Sequence, residues 1–332
     1  MNFKYNNVYL NETSIVTGPY ELKGPFKEYY DKSYDDLLFN EKSWELAESK
    51  LISDSVDILL NKVNKTKKDI DLHISGDLLN QLVSTNYASR NIGIPLIGVY
   101  SACATSMLEF ILAANMIDKK QAKNIICTVS GHNNAAEKQF RYPIEYGGPK
   151  RKTTTFTSTG GCAALISNSK SNIKITSGTI GKVIDKGIKD VYNMGAVMAP
   201  AAADTLYEHL KSNEITPDYY DLILTGDLGI YGKEIFKEYV KKEYNIILKN
   251  YEDAGSILYD KNETFMYAGG SGPACLPIVA YGHIFSELKQ GKYKKVLLIA
   301  TGALHSTSMC NEKNTIPSIA HAISLEVIEW YI

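Results

Sequence analysis

The sequence predicts an α/β protein with five layers, α/β/α/β/α, made of two similar βαβαβ halves. The first observation is a repeat: DLHISGDL at 71–78 and DLILTGDL at 221–228 are nearly the same segment, each an apolar strand that ends in a Gly-Asp turn. The second is a pair of long apolar stretches, 103–117 and about 274–288, each opened by small residues. Repeated strand–helix units with short connections indicate parallel sheets covered by helices.

The two apolar stretches are predicted to form helices in the central layer. Glu109 is the only charged residue in 103–117, and 273–285 contains none. Helices that are apolar on every side are buried, so both are placed between the two sheets. Each is followed by a lysine-bearing turn and then by a strand, at 124–130 and at 295–300. The halves are predicted to divide the chain into 1–168 and 169–332.

Amphipathic stretches predict the outer layers. The stretch 233–242 is rich in lysine and glutamate. In 45–61 the apolar residues recur at helical spacing, namely Leu46, Leu51, Ile52, Val56 and Leu59. Each stretch is expected to cover the outer face of one sheet.

The composition is that of a globular protein without a nucleic-acid surface. The chain has 332 residues, of which 44% are hydrophobic and 22% charged, and this excludes disordered and fibrous classes. A formal net charge of -1 argues against nucleic acid as the main partner. The start of the chain lacks the pattern of a signal peptide, and its longest uncharged stretch, 264–286, is interrupted by glycine and proline, so no membrane span is expected.

Metal, redox and nucleotide cofactors are not predicted. The five cysteines are widely spaced and form no C-x-x-C pair, which argues against zinc and redox motifs. No P-loop and no dinucleotide fingerprint follows a predicted strand. Reduced, packed thiols favour a cytoplasmic location.

Cys103, in VYSACATS at 99–106, is the principal site candidate. A thiol at the start of a helix faces amide donors and the positive end of the helix dipole, which favour a thiolate or a bound anion. Its small neighbours Ser101, Ala102 and Ala104 permit the sharp turn that a presented nucleophile requires. These residues are equally consistent with a second interpretation, a cysteine packed in an apolar helix, and that is the commoner case.

Further polar groups are predicted near the start of that helix. His132 follows the strand at 124–130 and could donate to a carboxylate, although an ordinary loop histidine fits the same pattern. Asp77 and Asn80 end the first repeated strand, where Asp77 could instead cap a helix. His305 occupies the position that mirrors His132 and is interpreted as structural.

The second half offers backbone amides for an anion. Gly269, Gly270 and Ser271 precede the second apolar helix and would leave their amides facing the cavity. Gly226 ends the second repeated strand. Arg141 adds a guanidinium fork whose geometry suits a carboxylate.

The layout, with a cysteine at the start of the first central helix, resembles the thiolase-like superfamily of thiolases and ketoacyl synthases. A closer resemblance, to the stage V sporulation protein AD family, rests on five segments: DLLNQ at 77–81, QFRYPIEYGG at 139–148, MGAVMAPAAADT at 194–205, LILTGDL at 222–228 and IPSIAHA at 316–322. It covers the whole chain. It implies a thiolase fold without thiolase activity and a role in moving dipicolinic acid into the developing spore.

The resemblance also indicates what the site lacks. Cys103 aligns with the superfamily's nucleophile, but the histidine and asparagine that follow the strands equivalent to 221–224 and 263–267 fall at Gly226 and at Gly269 or Gly270. Thr159 stands where the synthases carry an aspartate. Losing a base costs acid–base catalysis roughly 10²–10⁴-fold. We therefore expect no catalytic residue, and no proton-accepting side chain on the wall that faces the thiol.

Three functions are open as hypotheses. The first is a non-catalytic protein that binds dipicolinic acid (pyridine-2,6-dicarboxylate), with or without calcium, through Cys103, His132, Asp77, Asn80, Gly226, Gly269, Gly270 and Ser271. The alternative is an acyltransferase similar to a ketoacyl synthase, acting on acyl-CoA or acyl-carrier substrates with Cys103 as nucleophile and His132 as base. The third is an adaptor that docks membrane subunits.

The resemblance implies partners and a location as well. Members of the family are expected to work beside membrane proteins of the same uptake system. The chain is then expected on the cytoplasmic side of the forespore inner membrane, attached peripherally. Thiolase relatives are usually two-fold dimers, so a homodimer is expected by analogy.

Overall fold

A computed structural model describes residues 1–140, 150–260, 262–263 and 266–328. Its strands are β1 (Asn2–Lys4), β2 (Tyr9–Thr17), β3 (Lys32–Ser33), β4 (Leu72–Gly76), β5 (Leu96–Gly98), β6 (Asn124–Gly131), β7 (Phe156–Thr157), β8 (Gly160–Ser167), β9 (Ile173–Ile180), β10 (Leu222–Thr225), β11 (Tyr251–Asp253), β12 (Gly270–Ser271), β13 (Lys295–Ala303) and β14 (Ser318–Val327). Its α-helices are α1 (Trp44–Lys62), α2 (Val83–Ile92), α3 (Thr105–Asp118), α4 (Asn133–Phe140), α5 (Met194–Asn213), α6 (Gly229–Tyr244), α7 (Ala254–Ile257), α8 (Cys275–Val279), α9 (Phe285–Lys289) and α10 (Thr307–Asn311).

The strand order repeats in the two parts of the sheet. The first set runs β2-β8-β6-β4-β5 and the second β9-β14-β13-β10-β11. In the first set, β4 runs parallel to β5 and β6, and β8 runs antiparallel to β6 and β2. In the second set, β10 runs parallel to β11 and β13, and β14 runs antiparallel to β13 and β9. A short contact of Tyr9 with Lys174 and Leu10 with Ile173 joins the sets. The expected parallel sheets are therefore mixed sheets.

Alternating side chains place one helical layer between the sheets and one outside each. In β6, Ile125, Cys127 and Val129 pack into the central cluster, whereas Ile126 packs against α1 and α2. Successive residues of a strand point to opposite faces, so each sheet is covered on both sides. β13 alternates in the same way between the central cluster and the layer of α5 and α6. The predicted five-layer α/β/α/β/α architecture is confirmed.

The two apolar stretches form the central helices, as predicted. α3 is buried along its length, and its Phe110 ring stacks on Tyr281 with the ring centroids 5.7 Å apart. Tyr281 belongs to a π-helical turn, Ala280–Ile284, that connects α8 to α9. The contact between the two helices fills the space between the sheets with hydrophobic side chains, whose burial is the main favourable term in folding.

Two of the outer helices follow the predicted amphipathic pattern, and a third was not predicted. α1 and α6 contain the predicted stretches 45–61 and 233–242. α5 was not predicted as a helix, because it contains Gly195 and Pro200, and both residues are unfavourable in helix interiors. A Cβ on Gly195 would lie 2.2 Å from the carbonyl oxygen of Leu228, so this glycine lets α5 approach the start of α6.

Candidate functional site

Cys103 lies on a strained turn between β5 and α3, two residues before the first residue of the helix. Ala102 adopts a left-handed conformation with φ of 49°, which is uncommon for a residue with a Cβ and costs of order 1–3 kcal/mol. The hydroxyl of Thr105 accepts the Ser101 N–H at 3.0 Å. Gly302 packs against the turn, where a Cβ would come within 2.6 Å of the Ser101 carbonyl oxygen. The turn places Cys103 at the start of α3.

The thiol faces a cavity with apolar walls and a few polar groups. The apolar lining consists of Leu78, Ala136, Phe140, Met194, Met198 and Ala303. The polar and ionisable residues of the lining include Tyr100, Thr155, Thr157, Ser271, His305, Glu137 and Asp227. We call this space the Cys103 pocket.

A wider outer groove adjoins the Cys103 pocket. Four residues line both spaces, namely Leu78, Tyr100, Phe140 and His305. The outer groove has a volume of about 630 Å³, and its lining also includes Asn80.

Asp227 is the charged group that acts on the thiol, and it lines the same pocket. Its carboxylate accepts the Thr301 hydroxyl at 2.6 Å and the Gly272 N–H at 2.9 Å. Burial raises the pKa of Asp227 to about 6, although these donors oppose the shift. Asp227 is not among the predicted site residues, since Asp77, its counterpart in the repeat, was preferred. The repeat with Asp77 could have identified it as a residue at the sheet edge where the site forms.

Cys103 is held as a neutral thiol. Burial raises the pKa of the thiol well above its ordinary value, and the negative charge of Asp227 raises it further. The backbone amide of Gly272 acts in the opposite direction but is the smaller influence. We expected the helix start to favour a thiolate. The structure reverses this expectation, because desolvation and a nearby carboxylate both disfavour a second negative charge.

The wall that faces the thiol therefore differs from the one expected. It carries a proton acceptor, the carboxylate of Asp227, where we expected none. Gly226 itself points elsewhere: a Cβ there would meet Thr301, and its carbonyl oxygen accepts the Gly255 N–H at 3.0 Å. The residue that faces Cys103 is therefore Asp227. It is the neighbour of Gly226, the position at which the resemblance indicated a missing catalytic side chain.

Only the second part of the glycine-rich segment 269–272 lines the pocket. Gly269 has a φ of 108° and its carbonyl oxygen accepts the Phe156 N–H, while Gly270 packs near Cys275; neither lines the pocket. Ser271 and Gly272 do line it. The strand expected at 263–267 is not found in its described residues, and the strand at the sheet edge is β11 instead.

His132 does not reach the pocket. Its Nε2–H donates to the carbonyl oxygen of Leu37 at 2.7 Å, and its ring packs on Phe39. Burial lowers the pKa of His132 to about 4, so the ring is neutral near neutral pH. A donor already bound to a carbonyl and separated from the thiol cannot act as its base. His305, which we interpreted as structural, lines the pocket instead.

Asp77 and Asn80 lie on the side of the outer groove. Asp77 is buried and accepts the N–H groups of Leu79 and Thr85, each at 2.8 Å, so it holds the turn after β4. Asn80 is exposed in the outer groove, and its backbone N–H donates to Gln139. Asp77 therefore holds a turn through backbone donors, which is the ordinary role of an aspartate at such a position. Arg141 lies outside the described residues.

Two further observations bear on ligands and membranes. Across the described ranges, no group of three or more His, Cys, Asp or Glu side chains is arranged to hold a metal ion. Nor does any helix within those ranges have the length and apolar character needed to cross a bilayer.

Comparison with known proteins places this chain in a family. The family model of stage V sporulation protein AD matches residues 1–326. Stage V sporulation protein AD of Bacillus subtilis (strain 168) is 46% identical over 319 residues, which cover 96% of this chain and 94% of that protein.

Solved structures with similar folds are synthases and their relatives. The 3-oxoacyl-[acyl-carrier-protein] synthase III of Aquifex aeolicus VF5 superposes with a TM-score of 0.56 at 14% identity, covering 96% of this chain and 97% of that one. A variant of Xanthomonas campestris OleA gives a TM-score of 0.61 at 14% identity, covering 98% and 99%. At this identity the likeness establishes the thiolase-like fold alone. The match along the sequence goes further: this chain belongs to the stage V sporulation protein AD family.

Proposed function

We propose that this sporulation protein is not an enzyme and that it binds dipicolinic acid in the Cys103 pocket. The observation that carries the proposal is the partner of the thiol, which is the carboxylate of Asp227. An activated cysteine needs a base that removes its proton or a positive environment that stabilises its thiolate. Here the neighbouring group does the opposite.

Proton transfer within this pair is unfavourable. Burial raises the pKa of Asp227 to about 6, and burial together with the charge of Asp227 raises the pKa of Cys103 well above its ordinary value. Moving the proton from the thiol to the carboxylate is therefore unfavourable. A thiol that keeps its proton donates a hydrogen bond, which is a binding role.

The lining of the pocket suits a small planar acid. Apolar side chains such as Met198 and Phe140 offer contacts for the faces of a pyridine ring, and the hydroxyls of Thr155, Thr157 and Ser271 offer hydrogen bonds for carboxylates. This combination of apolar faces and polar ends matches pyridine-2,6-dicarboxylate better than a long acyl chain.

The acidic residues of the pocket should make the affinity for the ligand depend on calcium. Asp227 and Glu137 line it, and the charge of Glu137 is balanced by Lys150 at 3.2 Å. A dianion approaching Asp227 is repelled, whereas a calcium chelate of the same ligand is neutral. We therefore expect calcium to strengthen binding.

Calorimetric titration tests the proposal. The purified chain is titrated with dipicolinate, with its equimolar calcium complex and with calcium alone. Thr157→Val, which removes a pocket hydroxyl, is expected to weaken binding, whereas Thr153→Val, whose hydroxyl bonds the Tyr192 carbonyl outside the pocket, leaves it unchanged. Absence of a binding signal with both forms of the ligand would contradict the proposal and favour the adaptor hypothesis.

A second experiment addresses catalysis. The chain is mixed with acetyl-CoA, and the peptide that contains Cys103 is examined by mass spectrometry together with the release of coenzyme A. We expect neither a stable acyl adduct nor turnover. Acylated Cys103 together with turnover would overturn the non-catalytic proposal and leave the fold assignment untouched.

A homodimer through β5 is also proposed. β5 ends the first strand set, and its outer edge has no neighbour among the described strands. Ile97 on this strand is 37% exposed, and Tyr87 and Tyr100 beside it are 46% and 47% exposed. An exposed apolar edge strand pairs readily with another strand. Light scattering should give the mass of a dimer and, for Ile97→Lys, that of a monomer; an unchanged mass for this variant would exclude β5 as the contact.

We further propose peripheral attachment on the cytoplasmic side of the forespore inner membrane, through membrane proteins of the same uptake system. The family assignment supports this proposal. In fractionated sporulating cells, the chain should sediment with that membrane and be released by alkaline carbonate, which strips peripheral proteins. A chain that stays in the supernatant before this treatment would contradict the proposal.

A further inference from the structure

We propose that His321 is a positioning residue, which holds the turn that carries Cys103 in the place where the thiol faces Asp227. The turn comprises residues 101–104, between β5 and α3, and we call it the Cys103 turn. His321 belongs to 316–322, one of the five segments on which the family resemblance rests, and the proposed function makes no use of it. Its role in positioning is independent of which ligand the pocket binds.

His321 reaches the Cys103 turn from the second strand set. It lies in β14, where Ile323, two residues further along, packs in the central cluster. Alternate residues of a strand share a face, so His321 points into the central layer that contains α3. Its Nε2 atom lies 2.8 Å from the hydroxyl oxygen of Ser101, and the two residues are 1% and 3% exposed. This buried hydrogen bond joins the turn to the other half of the chain.

The second ring nitrogen of His321 makes no competing bond. Nδ1 is buried and has no hydrogen-bond partner among the described residues. Burial lowers the pKa of His321 to about 4, so the ring is neutral near neutral pH. A buried polar atom without a partner costs stability, and an apolar side chain would avoid that cost. The bond to Ser101 is therefore the feature that explains a histidine at this position.

The Cys103 turn requires an anchor outside itself because its backbone is strained at Ala102, where φ is 49°. Locally, the hydroxyl of Thr105 accepts the Ser101 N–H at 3.0 Å and donates to the Ala102 carbonyl oxygen at 2.7 Å. These bonds lie within the turn and the first residue of α3, so they do not fix the turn relative to the second half. The His321 bond does, since β14 is paired on both sides.

The strand next to β14 holds the carboxylate that faces the thiol. In β13, Thr301 donates its hydroxyl to Asp227 at 2.6 Å, and a Cβ on Gly302 would come within 2.6 Å of the Ser101 carbonyl oxygen. β13 pairs with β14 along its whole length. Two paired strands thus hold both partners, the carboxylate through Thr301 and the Cys103 turn through His321. Without the His321 bond, the strained turn can relax away from the carboxylate.

Alkylation of the cysteines by iodoacetamide tests the inference without any ligand. The rate at each cysteine is measured by peptide mass spectrometry for the wild type, His321→Leu, His321→Gln, Ser101→Ala and the double variant of His321→Leu with Ser101→Ala. Leucine removes the hydrogen bond, whereas the amide of glutamine can still bond the Ser101 hydroxyl. Cys127 and Cys162 are fully buried and report unfolding of the whole chain.

His209→Gln is the matched control. His209 is also buried, and burial likewise lowers its pKa to about 4. It lies in α5, in an outer layer, and its ring bonds the hydroxyls of Thr179 and Tyr220, each at 2.8 Å. The variant therefore changes a buried neutral histidine of the same kind without altering a contact of the Cys103 turn.

We expect alkylation of Cys103 to be about fivefold faster in His321→Leu than in the wild type, because one neutral hydrogen bond changes a population by about this factor. Ser101→Ala should give a similar increase, and the double variant no further increase, since both changes remove the same bond. Cys103 should react at the wild-type rate in His321→Gln and in His209→Gln. If His321→Leu does not fold, Ser101→Ala alone carries the comparison.

Three results would overturn the inference. The first is a wild-type rate at Cys103 in His321→Leu or Ser101→Ala. The second is an equal acceleration at Cys127 and Cys162, which would show that the histidine stabilises the whole fold and does not position the turn. The third is an additive effect of His321→Leu and Ser101→Ala, which would show that they act through different contacts. Each of these results leaves the proposed function standing, because dipicolinate takes no part in the experiment.

Discussion

The strands β4 and β10 are repeats of one another, yet the aspartates that follow them have different tasks. Asp77 accepts two N–H groups from its own turn and from the start of α2. Asp227 accepts no bond from its own turn and instead reaches Thr301 and Gly272 and acts on the Cys103 thiol. The same residue at the same place in the repeat holds a turn in one half and lines the pocket in the other.

A second aspartate makes this difference possible. In the second half the turn after β10 is held by Asp253, whose carboxylate accepts the N–H groups of Leu228 and Gly229 at 3.0 and 2.8 Å. Asp253 comes from β11, the neighbouring strand. Because Asp253 accepts the Gly229 N–H, the counterpart of the Leu79 N–H that Asp77 accepts in the first half, Asp227 is left to turn toward the pocket.

At the opposite ends of β4 and β10, the two halves make the same contacts. Asp71 accepts the N–H groups of Lys123 and Asn124, and Asp221 accepts those of Lys294 and Lys295, with distances between 2.6 and 2.9 Å. The repeat is thus retained where it only joins strand to strand. It differs at the end that meets the thiol, which indicates that the difference serves the site.

Substitution of Asp253 is expected to have the largest effect on stability. Asp253→Ala leaves the buried N–H donors of Leu228, Gly229 and Ser256 without their acceptor. The Thr225 hydroxyl loses one of its partners and keeps Tyr251. An unsatisfied buried donor costs about 1–3 kcal/mol. Because removing a buried carboxyl recovers part of this, we expect a net loss of about 4 kcal/mol in the free energy of unfolding, measured with urea. A loss no larger than that of Asp77→Ala would contradict the view that Asp253 holds this turn.

Asp77→Ala should cost less, about 2 kcal/mol, because two backbone donors lose their acceptor. The sharper expectation is what stays unchanged. The alkylation rate of Cys103 should match the wild type, since Asp77 faces its own turn and not the thiol. An altered rate in a variant that remains folded by circular dichroism would show that the two aspartates are not as separate as their contacts indicate.

The repeat could be predicted from the sequence, and the difference within it could not. Both copies share the Gly-Asp turn, so local pattern gives Asp77 and Asp227 one interpretation. What separates them is contact with Gly272 and Thr301, residues far along the chain that only the packed sheets bring together. His132 was misplaced for the same reason: a histidine after a strand can point into the cavity or, as here, to the Leu37 carbonyl.

The ionisation of Asp227 should be visible in stability. Its pKa in the folded chain, about 6, lies above the value of about 3.9 in unfolded chains. Stability linked to a raised pKa is present below the unfolded value and is lost as the pH rises through the folded one. Between pH ~4 and ~7.5, the wild type should therefore lose about 2 kcal/mol more than Asp227→Asn in urea unfolding. Parallel pH profiles would mean that the carboxylate is not desolvated as its burial implies.

The smallest expected effect tests the thiol itself. Asp227→Asn removes the negative charge that raises the pKa of Cys103, while burial continues to raise it. A lower pKa gives more thiolate, so alkylation of Cys103 by iodoacetamide should be faster than in the wild type at pH ~8. Peptide mass spectrometry separates Cys103 from Cys310, which is also partly exposed, and Asp77→Asn is the matched control. An unchanged rate would mean that burial alone keeps the thiol neutral. Asp227 would then shape the pocket without governing its chemistry, and the divergence between the two halves would concern ligand fit alone.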